Sequence, residues 1–319
     1  MQPLTVVIRR DYASDLAREL EKVHELRTYH DETDAEMARL LSRSDVLVSG
    51  TFKAEWRSPT GTGLRLMHSA GAGIDRIARA ALPPGCLLCN VYGHEHGLAE
   101  HTFMLMLALQ RDLRGLDAAL RTGNWLPERP FLSELRGKRL LILGLGHIGR
   151  ELVRWGRFMD MDVTVLTRSP DPARAAGLGL SALGSLAELG ARLPEADFVV
   201  VAIPAAPETV DLIGARELGR MKATAYLINI GRAAVLNEAA LYEALCTRRI
   251  AGAGLDVWYQ YPAAGQKRLP AHLPFHELDN VIMTPHKSTA ETMTYRWGEI
   301  ARNIGRFARG EPLVNQILP

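Results

Sequence analysis

Apolar runs recur along the chain, each closed by a polar or glycine-bearing turn. Leu4 to Ile8, Asp45-Val-Leu-Val-Ser-Gly50, Leu64 to His68 and Cys86 to Val91 read as strands. A helical stretch from about Ala13 to Val23 follows the first of them. A second series comprises Leu140 to Leu143, Asp162 to Leu166, Asp197 to Ile203, Tyr226 to Ile230, Gly252 to Val257 and Val281 to Thr284. Continuous apolar runs mark strands covered on both faces. Strands alternating with helices predict parallel sheets with crossover helices. The pattern therefore reads as α/β, with two Rossmann-like or flavodoxin-like domains built on doubly wound parallel sheets.

Lys138 to Glu151 organises the second series. Its strand Leu140–Leu143 runs into Gly144-Leu-Gly146-His147-Ile148-Gly149 and then an amphipathic helix bearing Leu152, Val153 and Phe158. Gly144 permits the tight turn, Gly146 lets a pyrophosphate approach the backbone, and Gly149 lets helix and strand pack closely. The helix N-terminus presents unpaired N–H groups and a positive dipole end. This is the context in which a dinucleotide site is expected.

Composition narrows the function classes. A chain of 319 residues suggests two domains, and its 38 basic residues are spread rather than clustered, with net charge +2. A nucleic-acid surface is not expected. No apolar run reaches the length of a membrane span. Met1-Gln-Pro-Leu lacks the features of a signal peptide, and three cysteines fit a reducing compartment, so a cytoplasmic protein is expected. Cys86-Leu-Leu-Cys89 has no second pair and reads as strand, not as a zinc or redox site.

Several segments carry candidate chemistry. Gly71-Ala72-Gly73 follows a strand, where backbone N–H groups can turn toward an anion such as a carboxylate; from this segment alone a plain turn is an equal alternative. Gly93-His-Glu-His-Gly-Leu-Ala-Glu-His101 is histidine-rich, but its spacing is not that of a metal motif, so no metal is expected. It reads as a loop feeding a core helix from Leu98 to Leu113. Trp125 is a core or partner-facing aromatic. After the Asp162–Leu166 strand come Thr167, Arg168 and Ser169, with no carboxylate to accept from a ribose 2′-hydroxyl. Two hydroxyls and a guanidinium suit a 2′-phosphate, so NADP(H) is expected over NAD(H). Arg232, Asp256 and His286 lie at or just past strand ends, the binding edge of a doubly wound sheet. Arg232 can hold a carboxylate and polarise a carbonyl, and His286 can exchange a proton near neutral pH.

Taken together, these segments resemble the D-isomer-specific 2-hydroxyacid dehydrogenase family. The resemblance rests on Gly71-Ala-Gly-Ile-Asp75, Ala99-Glu100, Gly144 to Gly149, Ile203-Pro204 with Glu208-Thr209, Met221-Lys222, Ile228-Asn-Ile-Gly-Arg232, Gly252 to Val257 and Thr284-Pro-His286. It implies a substrate-binding domain of residues 1–97 plus 288–319. A dinucleotide-binding domain of residues 98–287 is inserted between them, with the active site in the interdomain cleft. It implies substrate contacts from Arg232 and from the N–H groups of Ala72 and Gly73, with Tyr92 as a pocket residue. It implies cofactor contacts from Gly144, Gly146, His147, Ile148, Gly149, Thr167, Arg168, Ser169, Ile203, Pro204, Thr209, Ile230, Gly231, Asp256 and His286. The expected reaction is hydride transfer between NADP(H) and a small 2-oxo or 2-hydroxy acid, with a homodimer as the assembly.

One position departs from the family. A glutamate usually follows the Asp-Val pair and raises the histidine's basicity, whereas Asp256-Val-Trp-Tyr-Gln-Tyr-Pro262 puts Tyr261 there. Tyr261 offers a hydroxyl without charge. Gln260, Glu277 and Glu95 are the other residues weighed for the role. Two further readings stand beside the enzyme: a nucleotide-sensing binding protein on the same fold, and an oxidase of a small inorganic or one-carbon acid.

Overall fold

A computed structural model of the chain describes residues 2–57, 63–126, 133–262, 266–288 and 292–317. It divides into two compact units, Met1–His94 with Ala290–Pro319, and Glu95–Thr289.

In the first unit, β1 (Thr5–Arg9), β2 (Glu25–Tyr29), β3 (Val46–Val48), β4 (Leu66–His68) and β5 (Leu87–Cys89) pair in parallel. Their order is β5-β4-β3-β1-β2, and Gln316–Ile317 adds an antiparallel edge beside β5. This is the flavodoxin-like order. Alternation along β1 sends Val6 and Ile8 to one face and Val7 to the other. Val6 and Ile8 pack with Leu16, Trp297, Ile300 and Ile304, which come from helix α1 (Ala13–Glu19) and the C-terminal helix Thr292–Arg309. Val7 packs with Met37, Leu41, Phe52 and Trp56 around helix α2 (Asp34–Leu41). Thr33 and Glu36 close a capping box at the start of α2.

In the second unit, β6 (Arg139–Leu143), β7 (Asp162–Thr167), β8 (Ala182–Ser185), β9 (Phe198–Val201), β10 (Tyr226–Asn229), β11 (Gly252–Leu255) and β12 (Val281–Met283) form an all-parallel sheet. The order β12-β11-β10-β9-β6-β7-β8 reverses direction between β6 and β9. That reversal is the switch point where such sheets bind ligands. Helices α3 (Glu95–Gln110), α4 (Leu113–Arg121) and α5 (His147–Phe158) follow the chain into this unit. Phe103, Met106, Leu152 and Val153 of α3 and α5 cover Leu140, Ile142 and Val200 on one face. Leu241 and Leu245 cover Leu141, Val199 and Leu227 on the other.

Several boundaries differ from the sequence reading. α1 stops at Glu19 rather than Val23, because Leu20 turns to extended backbone (ψ 136°). The long helix begins at Glu95, not Leu98, so Glu95 and His96 belong to its first turn and not to a loop. It ends at Gln110 because Asp112 adopts φ 43° and caps α4 through its side chain, accepting from Gly115 N–H at 3.3 Å. Three strands escaped the pattern: β2, β8 and Gln316–Ile317. Each is a sheet edge. An edge strand is half-solvated, and Glu25-Leu-Arg-Thr-Tyr29 carries no apolar run to announce it.

Cys89 is buried in β5 and Cys86 just precedes that strand. Burial pushes their thiols up to about 12 and about 11. Among the described residues no helix is long and apolar enough to cross a membrane, and no three His, Cys, Asp or Glu side chains gather as a metal site.

Candidate active site

The glycine turn lies at the switch point. Gly144 adopts φ 107°, and a Cβ there would stand 2.7 Å from the Ala202 carbonyl oxygen and 2.9 Å from Ile203 Cγ2. Its own N–H donates to Leu166 O at 2.7 Å. A Cβ on Gly149 would run into the carbonyl of Gly144, so helix α5 and the turn touch backbone to backbone. A Cβ on Gly146 would meet nothing within 4 Å. The turn is thus tight on its protein side and open at the N-cap of α5, a cradle with room for a phosphate. His147 is exposed and lies 4.0 Å from Glu95, and Ile148 packs against the core.

The flanking edge carries the other candidate cofactor residues. Thr167 ends β7, and Arg168 Nη1 lies 3.0 Å from Glu208 Oε1 in an exposed ion pair; a backbone N–H, and after it the Arg168 guanidinium, hold the Glu208 carboxyl below its usual range. Ser169 follows them in the same turn. Ile203 is buried beside Gly144, and Thr209 braces the next loop: its hydroxyl donates to Pro204 O and accepts from Ala206 N–H, both at 2.8 Å.

Three strands bring the candidate chemistry side by side. Asn229, Leu255 and Met283 are register partners across β10, β11 and β12. The residues after them therefore emerge on one edge, with neighbouring strands about 4.8 Å apart. Arg232 leaves β10 behind the buried Ile230 and Gly231, where a Cβ on Gly231 would stand 2.6 Å from Ile203 O. Asn229 fixes that exit: its Oδ1 accepts from Gly231 N–H at 3.1 Å and its Nδ2 donates to Arg232 O at 3.0 Å.

Asp256 follows β11 and is fully buried. Its Oδ1 accepts from the Thr284 hydroxyl at 2.6 Å and from His286 N–H at 3.1 Å, while Oδ2 has no hydrogen-bond partner among the described residues. His101 Nε2 lies 3.0 Å from Thr284 Oγ1 and 3.6 Å from Asp256 Oδ1. Since the Thr284 proton goes to Asp256, His101 is the donor to Thr284. His286 sits at φ 55°, held in that unusual conformation by the Asp256 bond to its N–H. Its Nδ1 lies 3.0 Å from Tyr261 Oη, which also accepts from Trp258 N–H at 3.2 Å. Gln260 is engaged elsewhere, accepting from Arg268 Nε at 2.6 Å. Glu277 lies beside His276 at 3.9 Å. Thr284, His101 and Asn229 had no role in the sequence reading. The only sequence signal for His101 is a histidine on an otherwise apolar face of a core helix.

In the first unit, Ser69 to Gly73 follows β4, and Tyr92 is half-buried beyond β5. The N–H groups of Ala72 and Gly73 make no hydrogen bond among the described residues.

Residues 103–288 match the family described as D-isomer specific 2-hydroxyacid dehydrogenase, NAD binding domain. The chain belongs to this family. It is 32% identical over 309 residues to a D-3-phosphoglycerate dehydrogenase of Methanocaldococcus jannaschii, covering 95% of this chain and 57% of that relative. The chain thus spans about half the length of the curated relatives it matches, as it does for a Synechocystis relative at 50%. A D-isomer specific 2-hydroxyacid dehydrogenase from Xanthobacter autotrophicus Py2, solved with NADPH and MES, is 26% identical with a TM-score of 0.78, covering 100% of this chain and 99% of that one. A glyoxylate reductase from Paecilomyes thermophila shares the fold, with a TM-score of 0.84 at 23% identity and 99% coverage of both chains. In this family setting the second unit is a pyridine-nucleotide-binding domain, and its glycine turn is the expected cradle.

Proposed function

We propose that this family member interconverts small 2-oxo acids and D-2-hydroxy acids with NADP(H), NAD(H) being the weaker cofactor. The observation that carries the reading is the shared edge of β10, β11 and β12, where Arg232, Asp256 and His286 with Tyr261 emerge together. We assign substrate binding to the first unit and nucleotide binding to the second.

The second unit's residues fit the nucleotide. Gly144, Gly146 and Gly149 leave room for its pyrophosphate, and Asp256 Oδ2 offers a buried acceptor without a partner, suited to a carboxamide N–H. When bound, the reduced nicotinamide supplies the hydride. The chain's own groups do the rest. Backbone N–H groups of Ala72 and Gly73 receive the substrate carboxylate. Arg232 binds the substrate and stabilises negative charge growing on the carbonyl oxygen. His286 donates the proton to that oxygen in reduction and recovers one in oxidation. Tyr261 orients the imidazole through Nδ1, and Asp256 fixes its backbone.

The NADP(H) preference rests on Arg168. No carboxylate stands at Thr167, Arg168 or Ser169. The Arg168–Glu208 pair is exposed on both sides, and water screens most of the attraction in such a pair. A 2′-phosphate therefore recruits the guanidinium at little cost. A second copy is the proposed partner, docking on the second unit. Trp125 and Phe158 are 82% and 81% exposed there, joined by Leu113 and Leu120 on α4.

The test is NADPH and NADH oxidation with a panel of 2-oxo acids. We expect NADPH-dependent turnover that falls about a thousandfold in His286→Ala, and a cofactor preference that shrinks roughly tenfold in Arg168→Ala. Tight nucleotide binding with no turnover on any acid defeats the enzyme reading in favour of a sensing protein.

A further inference from the structure

The loop after β4 is held in a way its sequence does not announce. Four successive carbonyls each accept a hydrogen bond from inside the first unit. Ala70 O accepts from Arg296 Nη1 at 2.5 Å, and Gly71 O from Val91 N–H at 3.4 Å. Ala72 O accepts from Asn90 Nδ2 at 2.9 Å, and Gly73 O from Ser69 Oγ at 2.9 Å. In a peptide unit the N–H points away from the preceding carbonyl's oxygen, since the trans geometry sets them on opposite sides. Anchoring the carbonyls of Gly71 and Ala72 to the protein therefore turns the N–H groups of Ala72 and Gly73 the other way, where neither finds a partner among the described residues.

We propose that Arg296 is a positioning residue: its guanidinium, anchored on Ala70 O, fixes the Ser69–Gly73 loop with two N–H groups presented to a substrate carboxylate. Asn90 does the same for the middle of the loop. The proposal rests on the carboxylate-binding role given to Ala72 and Gly73 above.

The anchorage is built, not incidental. Arg296 comes from the C-terminal helix, 226 residues away from its partner in sequence. Its guanidinium lies against the Trp297 ring at 6.0 Å from the centroid, and a Cβ on Gly71 would stand 3.8 Å from Nη1. Burial lowers its basicity, with Tyr12 opposing. Asn90 is itself buried, 4% exposed, and its side-chain oxygen has no partner among the described residues. Beneath the loop, His68 is fully buried in β4: its Nδ1 lies 2.9 Å from Ser69 O, and its Nε2 accepts from Asn303 Nδ2 at 3.1 Å. Asn303 also bonds both the N–H and the O of Val314, so the C-terminal helix and the tail beyond it are tied to the base of the same loop.

The experiment uses the full chain with saturating NADPH and the best 2-oxo acid. In Arg296→Met we expect KM to rise about tenfold or more, kcat to change less than about threefold, and NADPH affinity to stay unchanged. Oxamate, a carboxylate-bearing 2-oxo acid mimic, should weaken in parallel. Arg296→Lys keeps a donor for Ala70 O and should recover most of the KM. Arg302→Met on the same helix, an exposed residue paired with Glu299, should leave all of these unchanged. KM within twofold of wild type in Arg296→Met overturns the proposal while the enzyme reading stands. A fall in kcat with KM unchanged also overturns it, placing Arg296 in the chemistry instead. If Arg296→Met does not fold, Arg296→Lys decides: a folded Lys variant with wild-type KM supports the donor role, and failure of both variants to fold assigns Arg296 to stability alone. A wild-type protein inert toward every 2-oxo acid defeats the underlying reading, and the proposal with it.

Discussion

Two turns of this molecule present backbone N–H groups by different means. The turn after β6 exposes N–H groups because a helix begins there: Gly144 bends at φ 107°, Gly146 caps α5, and helix geometry leaves the first amides unpaired. The turn after β4 has no helix behind it. Gly71 there does not need a left-handed conformation, and its missing side chain is not relieving a clash. Its N–H groups are exposed because Arg296, Val91, Asn90 and Ser69 hold the carbonyls. The first turn is a property of local chain; the second is a property of the tertiary structure.

The largest effect that separates them comes from one methyl group. Gly144→Ala must take φ 107° with its Cβ 2.7 Å from Ala202 O, a backbone atom that cannot step aside. Strain and overpacking together cost roughly 3 kcal/mol or more, and nucleotide binding should be lost with the turn. Gly71→Ala places its Cβ in ordinary contact, 3.8 Å from Arg296 Nη1. Its unfolding free energy should stay within about 0.5 kcal/mol of wild type. Denaturant titration and NADPH binding of the two variants check the contrast. Equal damage in both would mean that the β4 turn is also built on local glycine geometry.

The same contrast explains what the sequence made legible. The turn from Gly144 to Gly149 is recognisable because strand, glycines and helix are contiguous. Central strands such as Phe198–Val201 are recognisable because both of their faces are covered. Gly71-Ala-Gly73 by itself left an anion site and a plain turn equally open, because the atoms that decide between them lie at positions 90 and 296. The edge strands β2, β8 and Gln316–Ile317 failed for a related reason: half their surroundings are water. The position of Tyr261 was legible, but its contact was not. Only the fold shows that Tyr261 reaches His286 Nδ1 while Gln260 is tied to Arg268.

A second effect belongs to the first unit alone. Burial pushes the His68 imidazole down to about 4 from the usual 6.5. The unfolded chain therefore binds a proton between those pH values that the folded chain refuses. Stability is fully present above about pH 6.5 and falls as pH drops toward 4, by about 3 kcal/mol for a shift of this size. His68→Gln stays neutral and should flatten that part of the profile, read as urea midpoints from pH 7 to pH 4. An unchanged acid slope would show that His68 does not govern it. Acid should also loosen the β4 turn before the β6 turn, since Ser69 O and Asn303 bond this imidazole in its neutral form.

The smallest effect contrasts two histidines that lean on neutral oxygens. His68 Nδ1 has the Ser69 carbonyl at 2.9 Å and is sealed from water. His286 Nδ1 has the Tyr261 hydroxyl at 3.0 Å and is exposed. Neither partner carries charge, so neither stabilises an imidazolium as a carboxylate does. For His68 that is consistent with a structural group that never needs its proton. For His286, the proposed proton donor, it sets the pH at which reduction fails. Tyr261→Glu puts a negative charge beside the same nitrogen, and at an exposed site its effect is on the order of one pH unit. The alkaline limb of kcat/KM for reduction should move up by that amount. Tyr261→Phe removes the oxygen without adding charge and should lower kcat/KM about threefold to tenfold with little movement of the limb, the loss of one orienting hydrogen bond. If the limb stays in place in Tyr261→Glu, the titrating group is not His286, and the proton in reduction comes from elsewhere on that strand edge.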